Sequence, residues 1–338
     1  MLRVVLAFAL TSVALVATPS SASASPTWVN VATYNIRYNS SKSCEPSSHP
    51  AEAFWPVRKP LVVRHILDPN LDGSRADMVD VLGIQEAKDG DTCQTPESMW
   101  EDLRDDLIAT SGQPWAVADA ANQSSGHNRI LYNSATYGLV SAGAVRFSAQ
   151  VPGEFTRYLT WAILTHKATG KQFLFTTTHL SPGNDCAVKA QWSEAIGLAA
   201  QLSGGRPIIA TGDYNATRYD TSKADCKVAK MFKFTKRAGI GDVMGQKLGT
   251  NKVSHRRAAV THQQYLGSSN GWNPSTSAWG YPRKPKRIGK AMIDFIFASN
   301  HLPVYQWGTS ADITPDRLWL QNGFPSDHNM IFAQIGLP

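Results

Sequence analysis

The sequence has no apolar run long enough to cross a bilayer, no internal repeat, and no Pro- or Ser-rich linker that would divide it. Its longest apolar stretch, Val4 to Val16, is interrupted by Thr11 and Ser12 and falls short of the roughly 20 residues a spanning helix needs. Arg3 precedes that stretch, and small residues follow it, with Ala22-Ser23-Ala24 fitting an A-x-A cleavage site. Residues 1–24 are therefore expected to be a signal peptide, and residues 25–338 a soluble, secreted, extracellular protein acting as a monomer. No cysteine lies near the cut, which removes the attachment point for a lipid anchor. Cysteine is scarce throughout, at four residues. With 42% apolar residues and ten tryptophans, a core of this size does not need many staples. In an exported chain four cysteines imply two disulfides, with three possible pairings. Cys44 and Cys93 each follow one polar motif closely, and Cys186 and Cys226 follow two others. If those motifs converge on one site, the pairs are Cys44–Cys93 and Cys186–Cys226.

The absence of a linker points to one continuous domain of alternating β-rich and amphipathic stretches. Strands are expected at Trp28 to Ile36, Met78 to Gln85, Asn128 to Tyr132, Leu139 to Phe147, Tyr158 to Thr165, Gln172 to Leu180, Pro207 to Thr211, Ala291 to Ala298 and Met330 to Ile335. Lys167-Ala168-Thr169-Gly170 reads as a hairpin turn. Helices are expected over Phe54 to Leu67, from a start at Thr95-Pro96-Glu97, over Val188 to Leu202, and over the basic stretch Lys227 to Ala238. Many strands with interspersed helices suggest two packed sheets flanked by helices. Gly245 to Lys290 reads as one long loop rich in Gly, Ser, Asn and basic residues, closing on Arg283-Lys284-Pro285-Lys286-Arg287. The formal charge is +7, and loss of the leader removes only Arg3, so the mature chain stays basic and suited to an anionic substrate.

Six polar elements share one pattern, an apolar strand that ends in a carboxylate, amide or imidazole. They are Asn35, Gln85-Glu86, Thr178-His179-Leu180, Gly212-Asp213-Tyr214-Asn215, Asp294 within Ile293-Asp294-Phe295-Ile296-Phe297, and Ser326-Asp327-His328. Each alone has a plain structural reading: a turn, a solvated strand end, a helix cap. Together, groups at strand ends can meet on one rim while the strands stay in the core. The residue types suit phosphoester hydrolysis, which gathers negative charge on the phosphate and on the leaving oxygen. A hard cation on Glu86, with Asn35 and Asp327, would offset that charge. His179 and His328 can donate to phosphate oxygens, Asp213 can orient or deprotonate water, and Asn215 can hold the nucleophile or transition state. Asp294 can fix the His328 tautomer.

Read together from Tyr34-Asn35-Ile36-Arg37 to Ser326-Asp327-His328, these motifs resemble those of the endonuclease/exonuclease/phosphatase superfamily, of which the chain looks like a secreted bacterial member. The resemblance implies a four-layer α/β/β/α sandwich of two packed mixed sheets flanked by helices, the deoxyribonuclease I-like fold. It implies metal binding by Asn35, Glu86 and Asp327, phosphate contact by His179, nucleophile and transition-state handling by Asp213 and Asn215, and a His328–Asp294 pair. Arg157 looks like the family's phosphate-contacting arginine. Two departures stand out: Arg37 sits where abasic-site endonucleases often carry a second acid, and no counterpart of the sphingomyelinase membrane hairpin is found. The implied activity is a phosphoesterase dependent on Mg²⁺, with Mn²⁺ or Ca²⁺ as alternatives. An extracellular nuclease on DNA or RNA leads, because the chain is basic and its long loop mixes Trp272 and Trp279 with Lys and Arg. A phospholipase C-like, sphingomyelinase-like or phosphatase activity on lipid or small esters is the alternative. A non-catalytic binding protein on the same scaffold is a third reading, which the complete set of polar residues argues against.

Overall fold

The computed structural model describes residues 26–38, 54–73, 77–89, 98–118, 126–217, 226–245, 258–263, 266–279 and 291–338. The first part of the chain forms β1 (Thr27–Asn35), α1 (Trp55–Leu67), β2 (Val81–Gln85), α2 (Met99–Ser111), β3 (Trp115–Val117) and β4 (Arg129–Asn133). The middle forms β5 (Tyr137–Arg146), β6 (Tyr158–His166), β7 (Gln172–His179), α3 (Asp185–Ser203) and β8 (Ile208–Asp213). The last part forms α4 (Met231–Arg237), β9 (Ile240–Asp242), β10 (Ala258–His262), β11 (Asp294–Ser299), β12 (Val304–Ser310) and β13 (Met330–Leu337).

The strands make two mixed sheets. One is seven-stranded, in the order β10-β12-β13-β1-β2-β4-β3, and the other six-stranded, in the order β5-β6-β7-β8-β11-β9. One apolar cluster fills the space between the sheets and continues under α3 and α4, where Trp192 and Phe232 pack on Phe295 and Phe297 of β11. A second cluster lies between the seven-stranded sheet and helices α1 and α2, through Trp55, Val62, Ile66, Leu103 and Leu107. The layer order is helix, sheet, sheet, helix.

Both strand patterns follow from burial on two faces. β2 is buried along its whole length and reads as a continuous apolar run; β7 is buried except at Gln172. The sheets approach tightly at Gly83, where an added Cβ would stand 2.5 Å from Thr211 Oγ1 and 2.6 Å from Thr177 Oγ1. Just above that contact Gln85 Nε2 donates to Thr177 Oγ1 at 2.7 Å, so a polar strut crosses the seam directly beneath the rim. Gly83→Ala is therefore expected to cost about 1–3 kcal/mol as the sheets part, read as a lower urea midpoint with the slope retained. An unchanged midpoint would mean that the sheets are not in contact there.

Several expected boundaries shift. The second helix begins at Met99, capped by a Ser98–Glu101 box, rather than opening at Thr95-Pro96-Glu97, which lies outside the described residues. The basic stretch divides into a 3₁₀ turn, Val228–Lys230, and the short α4, which buries Met231, Phe232 and Thr235 and leaves Lys233, Lys236 and Arg237 exposed. Gly245 to Lys290 is not one continuous loop, since β10 lies within it and pairs with β12. Gly170, at φ 70°, closes the β6–β7 hairpin through a bond to the His166 carbonyl. No helix among the described residues is long and apolar enough to cross a membrane.

Candidate active site

Sheet topology decides where the polar motifs meet. β1 and β2 run parallel, as do β7 and β8, so their ends bring Asn35, Gln85, His179 and Asp213 to one edge. β11 runs antiparallel to β8 with Asp294 opposite Asp213. β13 runs antiparallel to β1, so the Ser326-Asp327-His328 approach reaches the same edge. Asn35, His179, Asp213, Asp294 and His328 are buried, while Glu86, Asn215 and Asp327 are partly open.

Asn35 joins the two sheets. Its Nδ2 donates to Glu86 Oε1 at 2.9 Å and to Asp213 Oδ2 at 3.1 Å, and its Oδ1 accepts from Arg37 N at 3.0 Å. Glu86 Oε2 accepts from Tyr38 N at 3.2 Å. Arg37, Glu86 and Asn215 adopt positive φ of 55°, 59° and 48°, strain of a kind that gathers at functional sites. Asn215 N donates to Asp213 Oδ1 at 2.9 Å, and its side-chain amide donates to the Leu180 carbonyl at 2.8 Å. Asn215 thus clamps the end of β8 to the end of β7.

Three titratable groups lie around Asp213. His328 Nδ1 is 2.8 Å from Asp294 Oδ2, and its Nε2 is 3.8 Å from Asp213 Oδ2. His179 Nε2 is 3.5 Å from the same Asp213 oxygen. Burial, reinforced by the Asp294 charge, pushes the Asp213 carboxyl up to about 7, against the opposing pull of His328, Asn215 N and Asn35. Burial also opposes charge on His328, but Asp294, by charge and hydrogen bond, and then Asp213 and Asp327 hold it well above the usual histidine value. His179 is driven well below that value by burial and then by Arg157, His328, His127 and Arg37, so it is neutral. Arg157 is buried, with Nη2 3.6 Å from Glu154 Oε2, and its charge is felt at both His179 and Asp213.

Residues outside the six motifs hold the site in place. Ser268 Oγ accepts from Asp294 N at 2.9 Å, and Asn270 N and Gly271 N donate to the Asp327 carbonyl at 2.8 and 3.0 Å. Asn270 Nδ2 donates to the Ser326 carbonyl at 3.0 Å. Residues 266–279, read from sequence as part of a substrate loop, therefore support Asp294 and the Ser326–His328 turn. Trp279 is fully buried, with its indole N–H on the Asn273 carbonyl, and Trp272 packs edge-on to Phe324; neither is a free stacking platform. Arg58 is buried on α1 and donates to the carbonyls of Ile36, Pro325 and Arg37 at 2.7, 2.7 and 2.8 Å. A signal for it exists in the sequence: Arg58 falls on the same helical stripe as Trp55, Val62 and His65, and a lone cation on a buried stripe needs partners.

Two oxygen-rich groups could hold a cation. Among the described residues, Asp213, Asp294 and His328 offer ligand atoms within 4.8 Å of one another. There His328 Nδ1 and Asp294 Oδ2 are already paired with each other at 2.8 Å, which occupies one ligand atom of each. Glu86 and Asp327 are better placed, since both carboxylates face one position of positive charge, where Arg37 Nη1 lies 3.6 and 3.8 Å from them. Two carboxylates are the hard-oxygen donors that Mg²⁺ prefers, and Asn35, which turns Nδ2 to Glu86 and Oδ1 to Arg37 N, would join them through the remaining lone pair of Oδ1. Cys186 and Cys226 form a disulfide at the start of α3, while Cys44 and Cys93 lie outside the described residues, as do Arg283 to Arg287.

Three solved structures share this architecture. An endonuclease/exonuclease/phosphatase family protein from Bacteroides thetaiotaomicron superposes with a TM-score of 0.62 at 18% identity, covering 93% of this chain and 99% of its own. The mannosyl-6-phosphatase Bt3783 of the same organism gives 0.60 at 17%, covering 91% and 99%. D. rerio TDP2, complexed with single-strand DNA product, gives 0.55 at 14%, covering 91% and 99%. At these identities the likeness establishes the fold. No curated protein is similar enough in sequence to match. The family model for the Endonuclease/Exonuclease/phosphatase family matches residues 32–328, a span that takes in every motif of the rim, and the chain belongs to that family of phosphoester hydrolases.

Proposed function

We propose that the protein is a secreted, monomeric, Mg²⁺-dependent phosphodiesterase that cleaves nucleic acid. The observation that carries the reading is the position of Asp213, shared between Asn35 on the cation side and the imidazoles of His179 and His328 on the other. Asn35, Glu86 and Asp327 would hold the cation, with Mn²⁺ or Ca²⁺ as substitutes, and when bound it offsets charge on the phosphate and leaving oxygen. Asp213 accepts the proton of the attacking water through Oδ2 as the water oxygen bonds to phosphorus; the P–O bond to the leaving group breaks, and the leaving oxygen takes its proton from solvent. Neutral His179 donates an N–H to a non-bridging oxygen. His328, kept protonated by Asp294, offers Nε2–H to another, and Arg157 adds fixed positive charge behind them. Asn215 holds the nucleophile's side of the site by fixing the Asp213 carboxylate.

The basic chain favours a polyanion over a small ester. The structural neighbour bound to single-strand DNA product supports the same choice, and the mannosyl-6-phosphatase neighbour supports the competing one, a phosphatase on a small ester. The test offers DNA, RNA, sphingomyelin, a sugar phosphate and inositol phosphates to the purified protein, with Mg²⁺ or with chelator. Nucleic acid is expected to turn over only with metal, and its KM to climb steeply with salt. Turnover of the sugar phosphate alone, indifferent to salt, would overturn the nucleic-acid reading and leave the phosphatase one.

A further inference from the structure

We infer that Phe155, flanked by Tyr38 and His127, stacks a nucleobase beside the scissile phosphate, a subsite that rests on the nucleic-acid reading above. Phe155 is 52% exposed and belongs to none of the hydrophobic clusters among the described residues, so packing does not account for it. Its ring meets His127 at 5.0 Å and Tyr38 at 5.9 Å, both at steep angles, so neither neighbour stacks on it face to face. The wall lies against the site. Tyr38 N binds Glu86 Oε2, Ala87 N binds the His127 carbonyl, and Arg157 follows Phe155 by two residues.

The wall is also built in advance of any ligand. Gln150 braces the Phe155 loop, accepting from Arg157 N at 2.9 Å and donating to the Arg157 carbonyl at 3.0 Å. Gly126, at φ 58°, packs so closely on the Thr156 carbonyl that a Cβ would overlap it, which draws His127 beside Phe155. A rigid aromatic surface loses little freedom on binding. In nucleic acid a flat π-face accompanies each phosphate, and here the exposed Phe155 ring lies two residues from the cationic Arg157, with half-buried Tyr38 next to Arg37. Arg37 itself lies 4.9 Å from the Tyr38 ring centroid.

The experiment measures KM for a single-strand oligonucleotide and for an abasic oligomer of the same length and charge, in wild type, Phe155→Ala and Phe155→Trp, with Mg²⁺. Wild type is expected to favour the base-bearing strand. Phe155→Ala should shrink that preference roughly 5- to 150-fold, the span expected for losing one base–aromatic stack, and Phe155→Trp should keep it. An unmoved preference in Phe155→Ala overturns the subsite while the nucleic-acid reading stands. Failure of wild type to cleave either oligomer, with Mg²⁺ or Mn²⁺, overturns both.

Discussion

Asp213→Asn is expected to lower kcat by roughly 10²- to 10⁴-fold, the range for losing a positioned general base, with substrate KM little changed. Asparagine keeps the shape and can still accept from Asn35 Nδ2, but it takes no proton from water. The pH profile carries the sharper signature. Burial and Asp294 push the Asp213 carboxyl up to about 7, so activity should rise as pH climbs through that region, and the limb should vanish from the residual activity of the variant. Stability should move the other way. A carboxyl raised from 3.8 to about 7 contributes fully only below its unfolded value, and that stability is lost as pH rises towards 7. Removing the titrating group removes the loss, so the thermal midpoint at pH 8 is expected to hold or rise while turnover collapses. A variant that loses activity together with its fold would point to a structural role instead.

That coupling of strain to chemistry also explains which parts of the molecule could be read from sequence. The rim residues were visible because each breaks a local rule: Asp294 is a carboxylate opening an apolar strand, and His179 ends a run of buried residues. Such residues stand out when apolar patterning is strong. β12 was not visible, because its buried positions include Gln306, Thr309 and Ser310, which read as surface. Each is satisfied by a partner distant in sequence: Asn70 Oδ1, the Leu266 carbonyl and His65 Nδ1 respectively. β3 and β9 are three residues long, too short for a period to show. The support given by Ser268 and Asn270 was hidden for a related reason. Gly, Ser and Asn signal a turn, and nothing local says that the turn's hydrogen bonds end on Asp294 and Asp327.

The same distinction separates residues that react from residues that position. Arg58 is a positioning residue: its guanidinium binds backbone carbonyls beside the cation donors, at Ile36–Arg37 and at Pro325. The Asn35 and Asp327 segments thereby share one buried cation as their common anchor. Gln85, which shares a polar strand-end motif with Glu86, is fully buried and spends its amide on Thr177 across the sheet seam. The pair divides into a strut and a rim carboxylate because β2 ends at Gln85 and the left-handed turn at Glu86, φ 59°, carries the next side chain off the strand to the rim.

Glu86→Gln is expected to weaken Mg²⁺ binding by at least 10- to 100-fold, the loss typical of disturbing a metal site's supporting shell alone. The reasoning is electrostatic and geometric together. Glu86 and Asp327 both converge on the Arg37 guanidinium, and a neutral amide at position 86 removes one of the two negative charges that this pair brings there. Glutamine must also turn its NH₂ towards either Asn35 Nδ2 or Tyr38 N, both of which are donors now bound to the carboxylate, so the site loses order as well as charge. Calorimetric titration with Mg²⁺ and Mn²⁺ reads the affinity directly, without reference to turnover. Activity in the variant should return in part as metal is raised, whereas Asp213→Asn should titrate much as wild type does and stay inactive at any metal concentration. Should Glu86→Gln bind metal as tightly as wild type, the Asn35–Glu86–Asp327 set is not the metal site. The buried Asp213, Asp294 and His328 group, whose ligand atoms lie within 4.8 Å of one another, would then take its place.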